Sequence, residues 1–212
     1  MRQIKINRIL QILYPLLVYF LIYQVGAGFL ISFYKDDIGS VACLFIAALV
    51  CLVPMAFIFK DSPKPIPDSI TKNLAIEYVL SVLAVVVLGI LINIILTKSG
   101  IISYSAGFAN ASATLTDGSL IIKILCNAIA IPLLEELLMR GIIAGQIYFF
   151  YGPATAVIVS TICFGILHNN IVQFIYAVII GALLGALYVR TKRVSLCVLA
   201  HGLINLIAIL FG

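Results

Sequence analysis

The sequence predicts an all-α fold, a polytopic transmembrane helical bundle of about seven helices, with eight also compatible with the pattern. Three observations predict it. Hydrophobic residues make up 64% of the 212 and charged residues only 10%, whereas soluble domains carry about 25% charged residues. The apolar runs are long and lack the alternation of a barrel strand. Most charges fall between the runs. Backbone groups in hydrocarbon must be satisfied inside the spanning element, and helices achieve this without neighbours.

Seven runs follow in order: Ile9 to Phe33, Gly39 to Phe59, Leu74 to Leu96, Ser119 to Phe150, Pro153 to Leu167, Ile171 to Val189 and Val194 to Phe211. The first, preceded by Arg2, Lys5 and Arg8, exceeds the ~7 to 15 residue core of a secretory signal and reads as an anchor. The fifth and seventh are short for a ~30 Å core, so tilt or partial spanning is expected. Lys60 to Lys72, with Pro63, Pro65 and Pro67, reads as an extended, solvated connector. Thr97 to Gly118 reads as a loop, with Ser103 to Thr116 too polar to span. The whole forms one membrane domain, 1–212, in which residues 1–118 supply N-terminal helices and loops and 119–212 carry the motifs.

Alternating the runs places Arg2, Lys5, Arg8, Lys60, Lys64, Lys72, Arg190, Lys192 and Arg193 on one side and Lys35 and Lys98 on the other. Lysine and arginine favour cytoplasmic loops, so the N-terminus is expected in the cytoplasm and the C-terminus outside. The net charge of +5 is explained by this distribution and not by a nucleic-acid patch. The five cysteines lie in apolar runs without C-x-x-C spacing and read as packing residues.

Ionisable groups within the bilayer cost at least ~2.5 to 3.5 kcal/mol each on the insertion scale and are functional candidates for that reason. Two of the three glutamates, Glu135 and Glu136, stand together in the fourth run, and both histidines, His168 and His201, lie in or beside apolar runs. At about 100° per residue, Glu136 and Arg140 face within about 40° of each other, as an ion pair requires, and Glu135 points about 140° away. Glu135 is then left without a sequence-local counter-ion and is the candidate general base. Phe164-x-x-x-His168 and His201-x-x-x-Asn205 repeat the four-residue spacing. A carboxylate, two imidazoles and an amide at one point can deprotonate water, protonate an amine and hydrogen-bond an oxyanion. At 1.5 Å per residue, Glu135 stands ~24 Å along from Ser119 and Asn205 ~17 Å from Val194, near mid-bilayer, with His168 closer to the outer face.

These three elements, Glu135-Glu136-x-x-x-Arg140, Phe164-x-x-x-His168 and His201-x-x-x-Asn205, resemble in order the three motifs of the CAAX protease and bacteriocin-processing (CPBP, abortive-infection) family. The resemblance covers about the last 80 residues. It implies an intramembrane endopeptidase acting on a small membrane-associated peptide or protein. By this analogy Glu135 activates water with His168, His201 and Asn205 stabilise the oxyanion, and Glu136, Arg140 and Phe164 support them. The family is described both as zinc-dependent and as metal-free. A metal-free site is favoured; zinc, if used, would sit on Glu135, His168 and His201, although there is no H-E-x-x-H motif.

Structural alternatives stand beside each reading. Glu135 could bond a neighbouring helix, His168 could be an interfacial residue before Asn169 and Asn170, and His201 with Asn205 could be an interhelical contact. Asn93 and Asn127 read as interhelical amides, Glu77 as interfacial, and Lys123 as snorkelling. Gly141-x-x-x-Gly145 and Gly181-x-x-x-Gly185 read as close-packing devices. At the level of the whole chain, the alternative to a peptidase is a non-catalytic immunity or scaffold membrane protein of the same fold. A transporter would show paired repeats or broken helices, and the sequence has neither.

Overall fold

The computed structural model describes residues 8–100, 106–168 and 170–211. Among them the chain forms eight helices: α1 (8–38), α2 (Ser40–Asp61), α3 (Lys72–Lys98), α4 (Ala106–Thr116), α5 (120–151), α6 (Pro153–Ile166), α7 (Ile171–Thr191) and α8 (Val194–Phe211). Seven coincide with the apolar runs. Arg2, Lys5, Asn169 and residues 101–105 of the expected loop lie outside the described residues.

The eighth helix corrects the reading of Thr97 to Gly118 as a loop. Ala106, Ala109, Ala111 and Ala113 supply the helix preference that polarity concealed. At ~16 Å, α4 is too short to cross a bilayer. The joints on either side of the bundle are equally economical. Gly39 (φ 84°) and Gly152 (φ 86°) are single residues linking α1 to α2 and α5 to α6, in a conformation that side chains with a Cβ rarely adopt. Asp117 Oδ2 then accepts from the Ser40 N–H at 2.6 Å and occupies the unsatisfied start of α2.

Five helices, α1, α2, α3, α7 and α8, are long and apolar enough to cross a membrane. Exposed Phe33, Phe57, Leu80, Ile95 and Ile158 suit a lipid surround. The short α6 leans on α7 through glycines: a Cβ on Gly165 would lie 2.7 Å from Val178 Cγ2, and Gly181 and Gly185 back onto Phe164 and Val157. Gly141 meets Phe59, and Gly145 meets Tyr188 and Lys64. Both glycine pairs are therefore internal packing surfaces.

Of the basic side expected from the sequence, Arg190, Lys192 and Arg193 meet the connector and the start of α3 at one end. The connector 62–71 is free of helix, and its Asp68 pairs with Lys192 at 3.3 Å and accepts from Arg193 through its carbonyl at 2.7 Å. Glu77 is surface-exposed and pairs with Arg190. The opposite end carries Gly39, Asp117 and the turn after α6.

Prolines inside helices shape what lies between. Pro15 has no N–H for the carbonyl four residues earlier, and Gln146 Nε2 donates to that Gln11 carbonyl at 3.3 Å. In α5, Ile124–Ala130 is π-helical and the Ile131 N–H goes to Cys126 O. Five residues after Asn127 stands Pro132, which has no N–H to give. The Asn127 carbonyl thus lacks both usual helical donors, and Asn205 Nδ2 of α8 reaches it at 2.8 Å. In each case another helix supplies an amide to the released group, as a bilayer interior demands.

Candidate active site

The middle of α5 brings its charges into the core. Glu136 ends the α-helical stretch Ile131–Glu136, and Arg140 lies in a second π-helical stretch, Leu137–Ala144. Both side chains are fully buried, with Arg140 Nη1 2.9 Å from Glu136 Oε1. The expected ion pair is thus present. Arg140 is held further: Nη2 donates to Gly181 O at 2.9 Å, and the guanidinium lies 5.0 Å over the Phe164 ring. A Cβ at Gly181 would meet Phe164 and Thr161 of α6, so the glycine lets α7 lie close to α6 beside this contact.

Glu136 has a second partner, from α8. His201 Nδ1 lies 2.9 Å from the same Oε1. A carboxylate oxygen can only accept, so Nδ1 carries the proton and Nε2 is turned the other way. It faces Glu135, whose Oε2 is 3.9 Å distant. His201 is therefore suspended between the two glutamates. Glu136 is sealed, whereas the Glu135 side chain is 12% exposed.

Close backbone approach makes this reach available. A Cβ on Gly202 would come within 2.5 Å of the Ala128 carbonyl, so α8 touches α5 one residue after His201. One turn on, Asn205 is fastened to the Asn127 carbonyl. Asn127 itself donates to Leu115 O at 2.9 Å, tying the short α4 to the cluster. Its role is thus the interhelical hydrogen bonding read from the sequence. Asn93, by contrast, accepts from Thr97 within α3.

His168 lies beyond the end of α6, in the turn before α7. Its Nδ1 donates to Phe164 O at 2.9 Å, the carbonyl fixing the tautomer. The Phe164 ring sits edge-on between the histidines, 5.0 Å from His168 and 6.0 Å from His201. Glu135, Glu136, Arg140, Phe164 and His201 are thus directly connected. Phe164 links His168 to them, and Asn205 stands alongside on the α5 backbone. No hydrogen bond or ion pair joins His168 to Glu135 among the described residues.

Two features had no sequence signature. Tyr19 of α1 lies with its hydroxyl 3.4 Å from Glu135 Oε1. Gln24, a turn further on, donates to Leu167 O at 2.9 Å and steadies the His168 turn. Each of the three π-helical stretches among the described residues borders this region: Tyr19 precedes the first, Asn127 lies in the second and Arg140 in the third. Such bulges are frequent at functional sites.

Among the described residues no three histidine, cysteine, aspartate or glutamate side chains converge as ligands for a metal ion. The zinc set considered above, Glu135, His168 and His201, is not gathered into a coordination sphere. The side chains form a chain of contacts, in which Arg140 holds Glu136, Glu136 holds His201, and His201 presents Nε2 beside the more accessible Glu135.

Comparison with known proteins agrees with the motifs. A Bacillus subtilis (strain 168) protein named "Putative membrane peptidase YdiL" is 33% identical over 88 residues, covering 40% of this chain and 34% of its own. The chain thus spans about a third of that relative's length. No solved structure matches. The family description that matches is Rce1-like, type II CAAX prenyl endopeptidase, over residues 117–207. Across that stretch, which holds all three motifs, this integral membrane protein is similar to the Rce1-like family.

Proposed function

We propose that the chain is an intramembrane endopeptidase that hydrolyses a peptide bond in a small membrane-associated peptide or protein, using a water activated by Glu135. The observation that carries this reading is the His201 imidazole held between a sealed and an accessible carboxylate, 2.9 Å from Glu136 and 3.9 Å from Glu135. A water hydrogen-bonded to both Glu135 Oε2 and His201 Nε2 fits a separation of that size. Glu135 accepts the water proton as hydroxide adds to the substrate carbonyl, and returns it to the leaving amine. His168, and the Asn205 N–H not used by Asn127, act on the oxyanion side. Relative to the family analogy this moves His201 towards the water, because Glu136 fixes its orientation.

The same reading includes placement. The basic end formed by the connector 62–71 and residues 190–193 faces the cytoplasm of a bacterial cell, which puts the start of α1 on that side. The relative from Bacillus subtilis supports the bacterial assignment.

Cleavage of membrane-associated peptides in liposomes by the wild type, Glu135→Gln, His168→Ala and His201→Ala tests the proposal. Loss of about 10²-fold or more in each variant is expected, from the usual contribution of general acid–base groups. Equal cleavage by all four proteins would overturn it and favour a binding or scaffold role for the fold.

A further inference from the structure

Glu135 has two oxygens with different neighbours. Oε2 faces His201 Nε2 at 3.9 Å, and Oε1 faces the hydroxyl of Tyr19 at 3.4 Å. Tyr19 is only 2% exposed, and a buried phenol needs an acceptor for its proton. The Oε1 atom of Glu135 is within reach, at a distance long for a hydroxyl–carboxylate bond but typical of catalytic contacts that tighten when substrate binds.

The surrounding architecture fixes this side chain. Tyr19 is the last residue before the π-helical stretch Phe20–Val25. Its ring packs at 5.1 Å on that of Tyr23. Gln24 of the same stretch bonds the carbonyl of Leu167, one residue before His168. One short segment of α1 therefore grips both sides of the site: the carboxylate through Tyr19 and the histidine turn through Gln24. This segment lies outside residues 117–207, where the family match is found.

We propose that Tyr19 is a positioning residue for Glu135: its hydroxyl donates to Oε1, holding the carboxylate so that Oε2 is directed at the water and His201. The proposal rests on the peptidase reading above. The other ionisable groups around Glu135 are Glu136 and Arg140 on its own helix, His201 on α8, His168 in the α6–α7 turn and Tyr23 on α1. His201 is on Oε2, Arg140 is engaged with Glu136 and Gly181 and His168 with Phe164; among the described residues the hydrogen bond to Oε1 comes from Tyr19.

The test compares Tyr19→Phe with wild type, Tyr23→Phe and Glu135→Gln, using one cleavable membrane peptide in liposomes and thermal unfolding in detergent. Tyr19→Phe keeps the ring and removes only the donor. The expected result is a fall in kcat of about tenfold, the usual scale for one hydrogen bond, with KM within about twofold of wild type and an unchanged unfolding midpoint. Tyr23→Phe is expected to retain wild-type kcat. If Glu135→Gln is inactive and Tyr19→Phe keeps wild-type kcat, the role of Tyr19 is overturned and the peptidase reading stands. If Tyr19→Phe lowers kcat, raises KM and lowers the midpoint together, its role is packing and the proposal is overturned. If Glu135→Gln is fully active, Glu135 is not the base and both readings fall.

Discussion

His201 Nδ1 and Arg140 Nη1 converge on one oxygen, each 2.9 Å from Glu136 Oε1. Glu136 thus serves as the common anchor of a cation and an imidazole from two helices. Neither Glu136 nor Arg140 is exposed to any extent.

Removing that anchor should be far more damaging than removing a surface charge. Glu136→Gln leaves Arg140 buried without a counter-charge, which costs about 3–5 kcal/mol, and frees His201 to rotate. A marked fall in the unfolding midpoint and loss of cleavage are expected. Glu77→Gln, which breaks the exposed pair with Arg190, should stay within about 0.5 kcal/mol of wild type. Thermal unfolding of the two variants in one detergent checks the contrast; similar midpoints would refute it.

Gly202→Ala should act through distance alone. The new methyl would press on the Ala128 carbonyl, and overpacking against backbone costs about 1–3 kcal/mol. Separating α8 from α5 also withdraws His201 from Glu136. Cleavage should therefore fall further than after Gly141→Ala, whose methyl would meet the Phe59 side chain on the α2 side. Parallel rate measurements on both proteins decide this.

The released carbonyl of Asn127 predicts a non-additive pair. Asn205→Ala leaves that buried acceptor unsatisfied, at a cost of about 1–3 kcal/mol. Pro132→Ala restores a backbone N–H five residues after Asn127, so Asn205→Ala should cost less stability in that background. A double-mutant cycle of unfolding free energies measures the coupling; simple additivity would show that Pro132 is not the cause of the Asn127–Asn205 bond.

Asp117 gives the fold a mild acid sensitivity. The Ser40 backbone N–H donates to its carboxylate, and this bond above all holds Asp117 below its ordinary value of 3.8. A group depressed in the folded state stabilises it above the unfolded value, and that contribution disappears as pH falls through the lower folded value. Stability of the wild type should thus decline below about pH 4. Asp117→Asn should flatten that part of the profile, as measured by unfolding across pH 2 to 6.

Seven of the eight helices were legible in the sequence because hydrophobic length is a local property. The eighth was hidden because α4 combines alanine with serine, threonine and asparagine, a composition that disguises helix preference as loop polarity. In the site, the Glu136–Arg140 pair could be read because both residues share one helix. The His201–Glu136 bond joins residues 65 apart and depends on a glycine at 202, so spacing within either motif could not reveal it. Tyr19 was silent for the same reason: in an apolar run one tyrosine resembles another until tertiary packing selects it. Pro132 did carry a signal for the Asn127 carbonyl, but only π-helical geometry determines which carbonyl is freed.

The central helix α5 is absent from the five stretches apolar enough to span by themselves, although it holds the core together. On the insertion scale Glu135, Glu136 and Arg140 would each oppose transfer by about 2.5–3.5 kcal/mol, against roughly 0.3–0.6 returned by each leucine or isoleucine around them. A solitary α5 is therefore expected to enter the bilayer less readily than the helices around it. Its polar groups are met by Phe164 of α6, Gly181 of α7 and His201 of α8, so stable insertion of α5 is expected to depend on the three helices that follow it.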